Sequence, residues 1–304
     1  MEPRLIMELR WGPMNGRKVS IPAGSSLRVG RTDMADLELA YDKHLSKIHF
    51  SLDWDGSRCL LRDLGSQEGT LVDGEALKEG EVSHGGWIRA GETDFSVHIE
   101  DKIPPREDDN DPDDDELYAE DERWVRAERR AEEAKRQEAA GRALASLRGE
   151  AAKEPLFAIL DAARSDRILE LLKQSVEPHQ SLYEGIQGEP LSTVAPYLVG
   201  PFREDSKLLD RLVMEGWGRR WGIYVTSREP FKEVRRHFRR FLMVEFEDTE
   251  ERVYFRFYDP WVMQVFFPTC AERQKQELMS GCIALFAEDK SGQASCLQRL
   301  EDRA

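Results

Sequence analysis

The chain has 304 residues, 40% of them hydrophobic and 34% charged, with a formal net charge of −15; this length suits about two domains. The charge is concentrated, because residues 107–122 hold eleven Asp or Glu and no Lys or Arg, and without them the remaining charge is −4. No run of about 18 apolar residues suits a membrane span, the first residues lack the apolar core of a signal peptide, and the acidic balance argues against a nucleic-acid binder. The four cysteines, Cys59, Cys270, Cys282 and Cys296, include no C-x-x-C pair. They read as reduced thiols of a cytoplasmic protein, used as small hydrophobes.

Residues 1–100 read as β. Short alternating runs are cut by turn signals: Leu5–Trp11 before Gly12-Pro13, Lys18–Ile21 before Pro22, and His49–Trp54 and Arg58–Arg62 around Asp55-Gly56. Asp-Gly between two such runs is a hairpin signal. Gly69–Val72 before Asp73-Gly74, Trp87–Ala90 and Thr93–Ile99 complete the series. Many short strands at this spacing predict an antiparallel sandwich.

Residues 101–150 read as a linker in two parts. The acidic run carries too little apolar surface to fold and is expected to be disordered. From about Ala119 the sequence turns helical, with Glu122/Arg126, Glu132/Arg136 and Glu138/Arg142 spaced i,i+4. No large apolar residue lies between Val125 and Leu144, which predicts a solvated spacer helix; a partner-binding helix around Trp124 is the other reading.

Residues 151–290 read as mixed α and β, followed by a polar tail over 291–304. Strands are expected over Pro155–Leu160, Ala195–Val199, Trp221–Val225, Arg252–Tyr258 and, last, Cys282–Phe286. Helices are expected over Arg164–Gln174, Ser206–Arg219 and Ala271–Met279, with an amphipathic one beginning near Pro230. That last helix carries Lys232, Arg235, Arg236, Arg239 and Arg240 largely on one side, a candidate surface for an acidic partner. Asp259-Pro260 is expected to turn the chain.

No catalytic constellation emerges. His179 and His237 are far apart, Ser192, Ser227 and Cys270 have no evident base, and the nucleophile-elbow and zinc-protease motifs are absent. Arg256 with Asp259 reads as a structural ion pair. No metal, cofactor or enzymatic activity is expected.

One ordered set of short motifs in the β-rich segment is specific. Gly30-Arg31 is followed by Ser46-Lys47-Ile48-His49, then by Asp63-Leu64-Gly65-Ser66 and Gly69-Thr70-Leu71-Val72-Asp73-Gly74. This order resembles the forkhead-associated (FHA) family over essentially all of residues 1–100. The resemblance implies a sandwich whose loops grip phosphothreonine, with Arg31, Ser46, Lys47, Gln67, Gly69 and Thr70 as the phosphopeptide-binding set and His49 as a structural brace. The chemistry agrees, because a phosphate dianion needs a fixed guanidinium, hydroxyl and ammonium. One departure stands out: family members commonly read S-x-N-G-T, where this chain has Ser66-Gln67-Glu68-Gly69-Thr70. Losing the amide is expected to cost about 1–3 kcal/mol of peptide affinity, and a carboxylate at ~7 Å from phosphate about 0.5–1 kcal/mol more. Docking without phosphate is the alternative use of such a sandwich. Residues 101–115, with up to ~50 Å of extended reach, also carry carboxylates that are candidates to occupy the Arg31/Lys47 site when no partner is bound.

A second set follows in order: Leu156–Ala162, Leu182-Tyr183-Glu184-Gly185, Ala195–Val199, Trp217-Gly218, Trp221-Gly222, Arg239-Arg240-Phe241 and Phe255–Pro260. It resembles the bacterial domain-of-unknown-function 4123 family over about residues 154–288. That resemblance implies a type VI secretion adaptor that holds a toxic effector and loads it onto the valine-glycine repeat spike protein. The fold expected for the whole is an FHA-type sandwich, a charged linker with helix, and a mixed α/β (α+β) adaptor domain. The function expected is non-enzymatic chaperoning and delivery, with a second component, such as a threonine-phosphorylated protein, recruited by the sandwich. A phospho-dependent signalling scaffold without cargo is the alternative.

Overall fold

The computed structural model describes residues 3–100, 102, 120–183, 192–245 and 252–299. The chain separates into two compact units, residues 1–104 with 173–178, and residues 105–172 with 179–304.

The first unit contains β1 (Leu5–Leu9), β2 (Lys18–Ile21), β3 (Ser25–Gly30), β4 (Leu37–Glu38), β5 (Phe50–Trp54), β6 (Cys59–Asp63), β7 (Thr70–Val72), β8 (Glu75–Ala76), β9 (Glu79–Val82), β10 (Trp87–Ala90) and β11 (Thr93–Ile99). They form two sheets, ordered β2-β1-β11-β10-β7-β8 and β4-β3-β5-β6-β9. Every pairing is antiparallel except β3 with β4. Period-2 alternation sends Leu27 and Val29 of β3, and Cys59 and Leu61 of β6, inward. They meet Leu5, Met7 and Leu9 of β1 and Phe95 and Val97 of β11 in one core. Phe50 and Phe95 close it edge to face at 5.6 Å. Each such side chain contributes about 1.5–3 kcal/mol by burial. The two Asp-Gly turns do what their chemistry predicts. Asp55 accepts from the amides of Ser57 and Arg58 between β5 and β6, and Asp73-Gly74 take φ of 51° and 88° between β7 and β8. The all-β sandwich is as expected; β4, β8 and β9 are additional strands.

The second unit contains helix α1 (Glu120–Ala151), then β12 (Leu156–Asp161), α2 (Asp166–Lys173), β13 (His179–Ser181), β14 (Pro196–Phe202), α3 (Lys207–Gly216), β15 (Gly222–Thr226), α4 (Phe231–Arg239), β16 (Met243–Glu245), β17 (Arg252–Tyr254), α5 (Pro260–Phe266), α6 (Glu272–Leu278), β18 (Ala284–Glu288) and β19 (Ala294–Arg299). One sheet runs β13-β14-β12-β15-β18-β19, with β16 and β17 as a separate hairpin. All six residues of β12 are buried, because both faces of the sheet are covered. Leu156, Ala158 and Leu160 face a core with α1, α2 and α3, while Phe157 and Ile159 face one with α4, α5 and α6. This is the mixed α/β architecture read from the sequence.

Four local expectations are corrected. Helix α1 is not solvated all round: Ala139, Ala140, Ala143 and Leu147 are buried in the core with α3. Arg136 of the same helix donates to the carbonyls of Met214 (3.1 Å) and Trp217 (3.0 Å), groups left open at the end of α3. The expected Glu132/Arg136 pair gives way to Glu133 (2.7 Å), whereas Glu138/Arg142 forms at 2.5 Å. Second, residues beyond 290 are not only tail, since β19 pairs with β18. Third, Asp259-Pro260 starts α5 instead of turning the chain: the Asp259 carboxylate caps the amide of Trp261 at 2.9 Å and Pro260 occupies the first turn. Fourth, the strand expected over 252–258 stops at Tyr254. The acidic run over 107–119, and with it the linker reading, lies outside the described residues, as do the side chain of Trp124 and the last residues of the chain.

Candidate functional site: the loop set of the first unit

Residues far apart in sequence are brought together by three loops. The first follows β3. A Cβ at Gly30 would collide with the Lys47 carbonyl and sit 2.8 Å from the Ile48 Cα, so only glycine lets the second loop pass this close. The contact is then locked by the Arg31 amide on the Ser46 carbonyl (3.0 Å) and the Thr32 hydroxyl on the Lys47 carbonyl (3.1 Å). One guanidinium nitrogen of Arg31 donates to the Lys43 carbonyl at 3.1 Å, which aims the fork and leaves its other N–H groups for a ligand.

The third loop, residues 63–70, is organised by Asp63. Its Oδ1 accepts from the amides of Gly65 and Ser66, and its Oδ2 from the hydroxyls of Ser66 (2.6 Å) and Thr70 (2.7 Å). Burial works to raise the Asp63 carboxyl, but these hydrogen bonds outweigh it and hold it below the usual carboxylate range. Ser66 Oγ in turn accepts from the Gly69 amide at 2.9 Å, and Gly69 takes a φ of 80°. His49, wholly buried, ties the second loop to the third. Its Nδ1 accepts from the Ser46 amide (3.2 Å), so Nε2 carries the hydrogen that meets the Gly69 carbonyl (3.0 Å). The Gln67 amide donates to Ser46 Oγ at 3.1 Å.

The backbone around Arg31, Ser46, Lys47 and Gln67 is therefore drawn together. Ser46 keeps its own hydroxyl hydrogen for a ligand, and Lys47 and Gln67 are exposed. Two expected binders are placed differently. Thr70 is 1% exposed and its hydroxyl is given to Asp63, so it shapes the loop. Gly69 spends both backbone groups internally, so it supplies the turn. A feature absent from the sequence reading adjoins them: His44 Nδ1 meets Glu68 Oε1 at 2.6 Å, and its Nε2 faces Glu92 Oε1 at 3.5 Å. The hydrogen bond to Glu68, then the charges of Glu68, Glu92 and Asp42, raise the His44 pKa above the usual imidazole value.

In the second unit, the basic side of α4 is partly spent. Arg235 donates to the carbonyls of Ser181 (2.8 Å) and Tyr183 (3.2 Å), and Arg239 to that of Leu182 (2.9 Å). They brace residues 181–183, which corrects their expected role as partner-facing cations. Arg236 pairs with Glu233, and Arg240 meets His237 Nδ1 at 2.8 Å. Lys232, Arg236 and Arg240 are the exposed members. The Arg256–Asp259 pair is likewise re-partnered: Arg256 binds Asp161, and Asp259 binds Arg164 (2.5 Å) and Arg220 (3.0 Å).

The nucleophile candidates have structural roles. Ser227 donates to the Gly281 carbonyl at 2.6 Å, and burial raises the Cys270 thiol; the side chain of Ser192 lies outside the described residues. A Cβ at Gly216 would collide with the Trp221 ring, which makes that glycine a packing residue. Cys59, Cys270 and Cys282 are buried and Cys296 is exposed. Among the described residues no three His, Cys, Asp or Glu are grouped to hold a metal, and no helix is long and apolar enough to cross a membrane.

Comparison with known proteins gives two family matches. Residues 156–277 match the family described as a domain of unknown function (DUF4123). Residues 8–101 match the family described as the cytoplasmic domain of an inner membrane component of T3SS. The FHA domain-containing protein FhaA of Mycobacterium tuberculosis (strain ATCC 25618 / H37Rv) is 33% identical over 85 residues, 28% of this chain and 16% of that protein, so the chain spans about a sixth of that relative. A structure solved in work on phosphothreonine-dependent FHA domain interactions is 30% identical, with 31% of this chain and 95% of that chain covered and a TM-score of 0.29. The FHA domain of an Arabidopsis thaliana hypothetical protein is 29% identical, with 32% and 86% covered and a TM-score of 0.30.

Proposed function

We propose that this chain, in which an FHA-like domain precedes a DUF4123 domain, is an adaptor that grips two protein partners and catalyses no reaction. The two domains are interaction modules. The FHA-like domain takes a phosphothreonine-bearing segment on Arg31, Ser46 and Lys47, with Gln67 beside them. The DUF4123 domain holds a type VI secretion effector in the cytoplasm and presents it for loading onto the valine-glycine repeat spike, as the resemblance implies. One observation carries the phosphate reading: Asp63, His49 and the Gly30 contact fix three loops so that the Arg31 guanidinium and the Ser46 hydroxyl are held on adjoining loops, with the exposed Lys47 next to Ser46 in the chain, the donors and charge a phosphate dianion requires. The effector-loading role is supported by the DUF4123 match.

The test uses the full chain. Arg31→Ala should lower affinity for phosphothreonine peptides by at least tenfold, while the mutant still co-purifies the same effector and spike proteins from the native bacterium. Equal peptide affinity would remove the phosphate reading. Co-purification of kinase-pathway proteins alone, without effector or spike, would favour a signalling scaffold.

A further inference from the structure

We infer that Glu68 is a specificity-determining residue that selects phosphothreonine segments carrying an arginine or lysine close to the phosphorylated residue. The inference rests on the phosphate reading above and concerns the same loops. Glu68 follows Gln67, whose amide is bonded to Ser46 Oγ, and His44 follows Lys43, whose carbonyl is bonded to Arg31. The His44–Glu68 contact at 2.6 Å thus joins the second and third loops one residue away, on each, from the groups that hold phosphate. The Glu68 side chain is 49% exposed, so only part of its carboxylate is covered by His44. A peptide laid across these loops meets cations at Arg31 and Lys47 and an anion at Glu68.

A bare carboxylate beside a bound phosphate is repelled by it, and imidazole is a titrating and therefore incomplete counter-charge. A guanidinium or ammonium on the peptide neutralises Glu68 permanently. It can take over the oxygen now facing His44 or use the other, and an arginine has the fork to reach both. The amide common at this place in the FHA family offers a peptide no such charge. A peptide with Glu at the corresponding position places a third anion there.

The experiment is fluorescence anisotropy of the full chain with phosphothreonine peptides in which Arg, Ala or Glu is placed in turn at each position from two before to four after the phosphothreonine. At one or more positions, Arg should bind about 5–20-fold tighter than Ala, and Glu weaker than Ala. Glu68→Gln, an exposed substitution that leaves the Asp63 and His49 bonds intact, should cut the Arg preference to under about twofold while binding stays dependent on Arg31. Phosphate-dependent binding with no Arg preference at any position, or a preference that survives in Glu68→Gln, overturns the role of Glu68 and leaves the phosphate reading standing. No phosphopeptide binding at all overturns both.

Discussion

Replacing His49 with phenylalanine tests whether the loop set is held by this ring. Phenylalanine keeps the ring shape but removes both nitrogens. The Ser46 amide then loses its acceptor at 3.2 Å and the Gly69 carbonyl its donor at 3.0 Å. Each group left unpaired in a buried setting costs about 1–3 kcal/mol. The loops lie at the edge of the sandwich, where water relieves part of the penalty, so about 2–4 kcal/mol is expected for the pair. At 1.4 kcal/mol per factor of ten, local opening should become roughly 30- to 700-fold more frequent. Hydrogen–deuterium exchange of the full chain reads this directly, because protection reports opening segment by segment. Segments 46–50 and 66–72 should lose that much protection, while β12 and β14 in the second unit serve as the internal reference. Protection of the loops unchanged to within about threefold would refute the bracing role, and equal loss in β12 would show global unfolding instead.

Other outcomes follow from the same geometry. Phosphothreonine-peptide affinity should fall as pH rises through the raised His44 pKa: below it His44 is cationic and offsets Glu68, above it Glu68 faces the phosphate uncompensated, with Glu92 and Asp42 adding negative charge. Phosphate is largely dianionic above about pH 6.5, so titration from there to pH 9 isolates the imidazole, and a slope that persists in His44→Gln would refute the assignment. Asp161→Asn should lower the unfolding free energy of the second unit, read in urea, by about 1–3 kcal/mol. The loss is below that of a fully buried pair because the Arg256 and Arg164 side chains are 41% and 30% exposed; an unchanged midpoint would contradict it. Reversing the exposed cations together, as K232E/R236E/R240E, should weaken effector or spike association without unfolding, and complexes of unchanged affinity would leave that face to solvent. Arg235 and Arg239 are unsuited to this test, since their reversal breaks the bonds to residues 181–183.

What was readable in the sequence depended on whether the signal is local. β12 was evident as a bounded apolar run, and α4 as a stripe of Val234 and Phe238 behind Pro230. The buried face of helix α1 is faint in the sequence because, apart from Leu147, it is made of alanines. Three small side chains add little apolar signal, yet they let the backbone approach the core closely. β19 has little sequence signal because an edge strand recruited by its hairpin partner needs little hydrophobicity of its own. Asp259-Pro260 carries two meanings, turn and helix start, and the choice was made by the packing of α5. In the candidate site, Arg31, Ser46 and Lys47 are legible from an ordered motif. The motif did not say which way Thr70 points, and as the first residue of β7 it points inward. The His44–Glu68 contact has no signature at all, because the residues are 24 apart and it is the His49 and Ser46–Gln67 bonds that bring their loops together.

The alanine face of α1 also bears on how the chain tolerates cutting. A fragment beginning at residue 151 would retain every strand of the second unit's sheet yet lack Ala139, Ala140, Ala143 and Leu147, stripping the cover from Leu208, Leu209, Leu212 and Val213 of the core they share. It would also lose Arg136 from the carbonyls at the end of α3. Such a piece should clump in solution and be quickly degraded, whereas one that starts upstream of Glu133 carries its own lid.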